Sequence, residues 1–427
     1  FSQCLDAAHA GHFEIQEKDT VNIIDNNIIG GIEIGTPALD IHSSTGTVFE
    51  GVIIGNSINK PNNDSICIIL DGTQLTDVIN NTISCSLNLG NWSDQTNQII
   101  QAAIRGNRII NGGVLTWPGG ENNTMMLDIT NNQLISRSTS YGGDSLISLA
   151  GGEGVGTKNN KAIVNINNNE LSDELPMGKY FLGIYIKGGS TGASNSIITG
   201  EITNNKINVI NNNGSDSKTG LTIYGGLGYN SKTYAATQNI ADVLTANNDF
   251  NNLKNGVYIA GGYSQNNNSI GNKVLGELLN NSVENSSNIG IKIYGGEREI
   301  NAEVVNNEVQ ANISNNITDG LICKDNIPGN IANCILSGNT DTKSDTRSIQ
   351  IGQTIGMNRS VQKQMLTHME QLGNKEQQLR ERAATISDPR LQKRLLDLSD
   401  RLYETQYKMS ARMTGVPMSA LSDQMER

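Results

Sequence analysis

The sequence predicts an all-β chain, a right-handed parallel β-helix solenoid of roughly eleven coils over residues 1–356, followed by an α-helical C-terminal module over 357–427, either a hairpin or an amphipathic helix. Three observations predict it. An apolar-bracketed Asn unit, usually Asn-Asn-x-Ile/Val/Leu, recurs almost from end to end, with its second residue at Asn27, Asn56, Asn81, Asn107, Asn132, Asn169, Asn205, Asn248, Asn281, Asn307 and, without the trailing apolar residue, Asn339. A Gly-apolar-x-apolar-x-Gly-Gly unit alternates with it, and the composition changes abruptly near Asn358.

The Asn units are 25 to 43 residues apart, so the core of the repeat is fixed while loops of variable length are inserted, as in the coils of a solenoid. Asn suits the corners because it tolerates left-handed dihedrals and bonds its own backbone. Aligned along the axis, such side chains can bond one another as a ladder.

The Gly unit runs Gly183-Ile184-Tyr185-Ile186-Lys187-Gly188-Gly189, with copies at 220–226, 256–262 and 290–296 and looser ones at 113–120, 145–152 and 320–325. Strict apolar/polar alternation is the period of a half-buried strand. So short a strand cannot fold alone. Stacked about 4.8 Å above its copy, it pairs its backbone and buries its inward Ile or Val.

Hydrophobic residues make up 36% of the 427 and aromatics only 4%, so the core must be thin layers of Ile, Val and Leu. A net charge of −11 argues against nucleic acid as a partner, because phosphate tracking needs clustered Lys and Arg. No apolar run is long enough to span a membrane. Starting at Phe1 rather than Met, the chain reads as a processed or truncated product. The five cysteines lack zinc-ligand spacing and read as small buried hydrophobes; the alternative is pairing of Cys67 with Cys85, or of Cys323 with Cys334, on neighbouring rungs, which implies an oxidising compartment.

These Gly-apolar-x-apolar and Asn-x-Ile coils resemble the pectate-lyase-like parallel β-helix superfamily over about residues 12 to 355. The resemblance implies the fold and leaves the activity open, since the superfamily includes polysaccharide lyases, glycosidases, phage tailspikes, adhesins and inactive surface proteins. Its lyases use carboxylate Ca²⁺ ligands beside a basic residue, for which Asp144, Lys292 and Arg298 are available; its hydrolases carry a Gly-His-Gly segment that is missing here.

In the tail, Leu391, Leu395, Leu398, Leu402, Thr405, Met409 and Arg412 make a mainly apolar seam at helical spacing. Ser387-Asp388-Pro389 reads as a cap and first-turn proline, with an earlier helix over about 360–386. The seam serves either to cap the last rung or to drive self-association. The Asp-Pro turn, Leu395-Leu396-x-Leu398 and the following tyrosines resemble type III secretion rod and needle subunits.

Alternation puts Tyr185, Lys187, Thr222, Tyr224, Tyr258, Lys292 and Tyr294 on one outward strip. Aromatics that stack on sugar C–H faces, with polar groups that fix hydroxyls, suit an extended glycan. Three Gly-Gly turns precede Glu121, Glu153 and Glu297, and if Glu121 and Glu153 stack on adjacent rungs they form the carboxylate pair of a glycoside hydrolase or a Ca²⁺ site. The leading expectation is a secreted or surface-displayed microbial protein, adhesin-like and without catalysis or cofactor, that presents the strip to a polysaccharide or host-surface glycan. A polysaccharide lyase or glycosidase is the alternative, with Ca²⁺ in the lyase case; a filament subunit assembled through the tail is the third reading.

Overall fold

A computed structural model describes the strands between residues 11 and 342 with most of the turns joining them, together with ten residues between 377 and 400. Residues 1–10, 343–376 and 401–427 and a set of inserted loops lie outside the described residues. The chain divides into two compact units, Phe1–Gln353 and Thr354–Arg427.

Unit one is a parallel β-helix. Its strands form three eleven-stranded sheets in which every third strand of the early chain pairs with its predecessor, and all pairings are parallel. Each coil contributes one strand to each sheet, giving eleven coils. A fourth, three-stranded sheet fills the corner between the first and second sheets in coils 8 to 10.

The interior is a stack of aliphatic columns. In the first sheet, Ile184, Leu221, Val257, Ile291 and Leu321 lie in register, and two residues on so do Ile186, Ile223, Ile259, Ile293 and Cys323. All ten are buried. Each rung adds only a few small side chains, yet the column is continuous, so the 4% aromatic content costs the core nothing.

The corner after the second sheet is built by an Asn ladder. Asn56, Asn81, Asn107, Asn132, Asn169, Asn205, Asn248, Asn281, Asn316 and Asn339 each stand one coil above the last. The Asn107 N–H donates to Asn132 Oδ1 at 2.9 Å, while Asn107 Nδ2 donates to Val78 O at 2.8 Å and to Asn132 Oδ1 at 3.0 Å. The residue before each ladder Asn takes a positive φ, as Asn131 (57°), Asn204 (56°) and Gly106 (65°) do. The Asn-Asn doublet is thus one left-handed corner residue followed by one buried hydrogen-bonding residue.

Two expected members do not belong. Asn27 pairs with Ser57, one residue beyond the ladder position, and is exposed. Asn307 belongs to a second ladder, with Asn239, Asn272 and Asn330, at the corner between the first and second sheets. Asn316 holds the place assigned to it.

The Gly-Gly pairs serve that second ladder. A Cβ on Gly225 would run into the carbonyl oxygen of Gly261 on the next coil, and one on Gly226 would occupy the Asn272 side chain. The first glycine lets consecutive backbones approach and the second makes room for the ladder.

Cys67 is disulfide-bonded to Cys85, and Cys323 to Cys334. The first pair joins coil 3 to the entry of coil 4. The second lies within the last coil, joining its first-sheet strand to its second-sheet strand, rather than bridging neighbouring rungs.

In unit two the described residues are helical, among them Gln377, Arg380, Glu381, Ala383, Lys393, Leu396, Ser399 and Asp400. Gln377 Nε2 donates to Glu381 Oε1 at 2.9 Å, one turn on. Arg380 Nη2 meets Asp400 Oδ1 at 2.9 Å and so ties the two helical stretches together. The seam residues Leu391, Leu395, Leu398, Leu402 and Met409 lie outside the described residues.

Candidate functional site: the outward face of the first sheet

Register places the expected strip on the outward face of the first sheet, in two parallel columns. The first runs Ser148, Tyr185, Thr222, Tyr258, Lys292, Ile322, and the second Ala150, Lys187, Tyr224, Ala260, Tyr294, Lys324. A tyrosine falls in alternate columns on coils 7, 8, 9 and 10. The rings therefore zigzag up the face in edge-to-face contact, Tyr185 to Tyr224 at 5.5 Å between centroids, Tyr224 to Tyr258 at 5.9 Å and Tyr258 to Tyr294 at 6.0 Å. Such contacts contribute about 0.5–1.5 kcal/mol each beyond burial.

The strip is less open than alternation alone implies. Tyr224, Tyr258 and Tyr294 keep 7%, 7% and 6% of their surface, forming an apolar cluster outside the barrel with Leu227 and Ala260. Their faces are not free for sugar stacking. Tyr185 and Tyr263 are the partly exposed rings, and Tyr263 stacks on Tyr224 at 4.8 Å.

Lysines lie over this aromatic bed. Lys187 Nζ is 5.2 Å from the Tyr185 centroid, Lys292 Nζ is 5.5 Å from that of Tyr258 and 5.1 Å from that of Tyr294, and Lys324 Nζ is 5.5 Å from that of Tyr294. Lys187 is neutralised by Glu153, 2.8 Å away. Burial, reinforced by Lys254 and Lys324, lowers the Lys292 pKa from its ordinary value. Burial raises that of Tyr294.

Beyond the Gly-Gly turn a third column runs Ser190, Leu227, Tyr263, Glu297. Glu297 is pushed up to about 7, first by burial and then by Glu299, against the pull of Lys324. Glu299 accepts a hydrogen bond from the Tyr263 hydroxyl. Tyr263, Lys324 and Lys254 were not singled out from the sequence. The signal for Tyr263 was its place directly after a Gly-Gly pair, the position that Glu297 also fills.

Each carboxylate of the expected pair has a lysine for its partner. Glu121 is in register with Lys158, 3.8 Å from its Nζ, whereas Glu153 bridges to Ser190 and pairs with Lys187. Their two first-sheet strands are neighbours, and the Glu153 N–H still donates to Pro118 O at 3.0 Å, but it is Lys158, beyond the next turn, that comes into register with Glu121. Among the described residues, no group of three or more His, Cys, Asp or Glu is arranged to hold a metal ion.

The third sheet offers a contrasting outward face. Arg108, Gln133, Glu170, Lys206 and Asp249 follow one another in register, and with Arg137 and Glu174 they line a groove of about 440 Å³. Arg108 Nε donates to Gln133 Oε1 at 3.1 Å, and Arg137 Nε meets Glu174 Oε2 at 2.6 Å.

No protein-family profile, no curated protein and no solved structure matches this chain. No helix among the described residues is long and apolar enough to cross a membrane.

Proposed function

We propose that this chain is a secreted or surface-displayed right-handed β-helix, of the pectate-lyase-like kind, that binds a glycan on the outward face of its first sheet without turning it over. The observation that carries the reading is the concentration of tyrosines on one face of four successive coils, with two partly open rings, Tyr185 and Tyr263, on a bed of buried ones. A rigid aromatic bed flanked by lysines suits a sugar chain, whose C–H faces stack and whose hydroxyls accept hydrogen bonds. The pairing of Glu121 and Glu153 with lysines argues against glycoside hydrolysis by that couple. Two disulfides favour an oxidising compartment outside the cell. The C-terminal unit is proposed as a capping or self-association module.

The test is a panel of neutral and acidic polysaccharides, assayed with and without Ca²⁺ for binding and for release of reducing or unsaturated ends. Binding without release is expected, with Tyr185→Ala and Tyr263→Ala each weakening it about tenfold, the equivalent of about 1.4 kcal/mol. Turnover overturns the non-catalytic reading and turns attention to Glu297 and Lys292.

A further inference from the structure

We propose that the first-sheet face holds a site for a tetrahedral ester anion, sulfate or phosphate, carried on the bound glycan and gripped by Lys254, Lys292 and Lys324 over the rings of Tyr258 and Tyr294. The inference rests on the glycan reading and names the chemical class of its ligand. Lys292 stands in the strand of coil 10 and Lys324 one coil above, both within 5.5 Å of the Tyr294 centroid. Lys254 lies just before the strand of coil 9 that carries Tyr258. None of the three makes an ion pair among the described residues, in a chain whose net charge is −11.

Three sheltered lysines elsewhere in the solenoid are paired. Lys187 has Glu153, Lys218 has Asp173 at 3.0 Å, and Lys273 has Glu308 at 3.1 Å. Lys292, by contrast, has two more lysines, Lys254 and Lys324, near enough to help lower its pKa, and no carboxylate paired to it among the described residues. A second observation points the same way: the hydroxyl of Tyr258 is buried and has no hydrogen-bond partner among the described residues. Lysine ammoniums are compact, mobile point charges, and three of them together with one hydroxyl match the several oxygens of a sulfate or phosphate better than the two of a carboxylate. The aromatic bed beneath excludes water and strengthens each contact.

Dextran and dextran sulfate share a backbone and differ in the ester, so binding of both to the full chain isolates it. Polygalacturonate supplies a carboxylate arm, and phosphatidylcholine vesicles containing phosphatidylglycerol a lipid arm. The proposal expects dextran sulfate to bind at least tenfold more tightly than dextran and than polygalacturonate. It also expects Lys254→Gln/Lys292→Gln/Lys324→Gln to lose that preference, while Lys158→Gln keeps it. Tyr258→Phe removes only the hydroxyl and is expected to weaken dextran sulfate severalfold without lowering the melting temperature. Equal binding of dextran and dextran sulfate, or of polygalacturonate and dextran sulfate, overturns the ester site and leaves the glycan reading standing. Vesicle binding without dextran sulfate binding overturns the glycan as the source of the anion, and no binding to any arm overturns both.

Discussion

The outward faces of the first and third sheets are built on the same eleven coils and the same aliphatic interior, yet they treat charge in opposite ways. On the third sheet, Arg108, Gln133, Glu170, Lys206 and Asp249 succeed one another so that each charge faces an opposite or neutral neighbour one rung away. On the first, Lys292 and Lys324 lie over tyrosines, and neither they nor Lys254 has a carboxylate paired to it among the described residues. Inward positions are held by the stack, whereas outward positions are free to vary. A face whose charges are compensated stabilises the coil; one that accumulates like charge does so at a cost that a ligand can repay.

Four perturbations sharpen that contrast. The largest effect is expected from Tyr224→Ala, which removes the ring contacting Tyr185, Tyr258 and Tyr263. It should cost about 3–5 kcal/mol in chemical denaturation, as for other buried aromatics. Asn205→Ala breaks the corner ladder that both faces share. Its side chain bonds Ile166 O, Thr203 O and Asn248 Oδ1 and accepts from Asn169, so a loss of about 2–4 kcal/mol is expected.

The third effect is set by pH. Folding lifts Glu297 from an ordinary 4.5 to about 7, so the folded chain keeps a proton that the unfolded chain releases. Stability should therefore fall as pH rises from about 4.5 to about 7, by about 1–2 kcal/mol once partial exposure is allowed for. Glu297→Gln should flatten that slope in denaturation curves taken across the window. The smallest effect belongs to Arg137→Ala on the third sheet. Its ion pair with Glu174 is exposed, and the melting temperature should not move measurably.

Much of the scaffold was legible because each repeat carries its own instruction, and the recurring Asn and Gly-Gly units predict roughly the eleven coils that form. Which ladder a given doublet joins was not legible. Asn306-Asn307-Glu308-Val309 carries the full unit and Asn315-Asn316-Ile317-Thr318 departs from it, yet the latter belongs to the main ladder. The two corners impose the same left-handed residue and the same buried amide, so local sequence does not separate them. The cysteine pairings were foreseen as an alternative, although Cys323 and Cys334 were expected on different rungs.

At the candidate site, alternation located the columns but not their burial. The period of two says which way Tyr224, Tyr258 and Tyr294 point, and it is blind to rings on successive coils closing over one another. The lysine partners of Glu121 and Glu153, Lys158 and Lys187, were not legible, because register after a Gly-Gly turn depends on loop length, which no local pattern encodes.

The most direct test of the whole account compares one lysine from each face by isothermal titration with dextran sulfate. Lys292→Gln on the first sheet is expected to weaken binding at least fivefold, and Lys206→Gln on the third to leave it unchanged. The reverse order, or equal losses from both, would contradict the assignment of ligand binding to the first-sheet face.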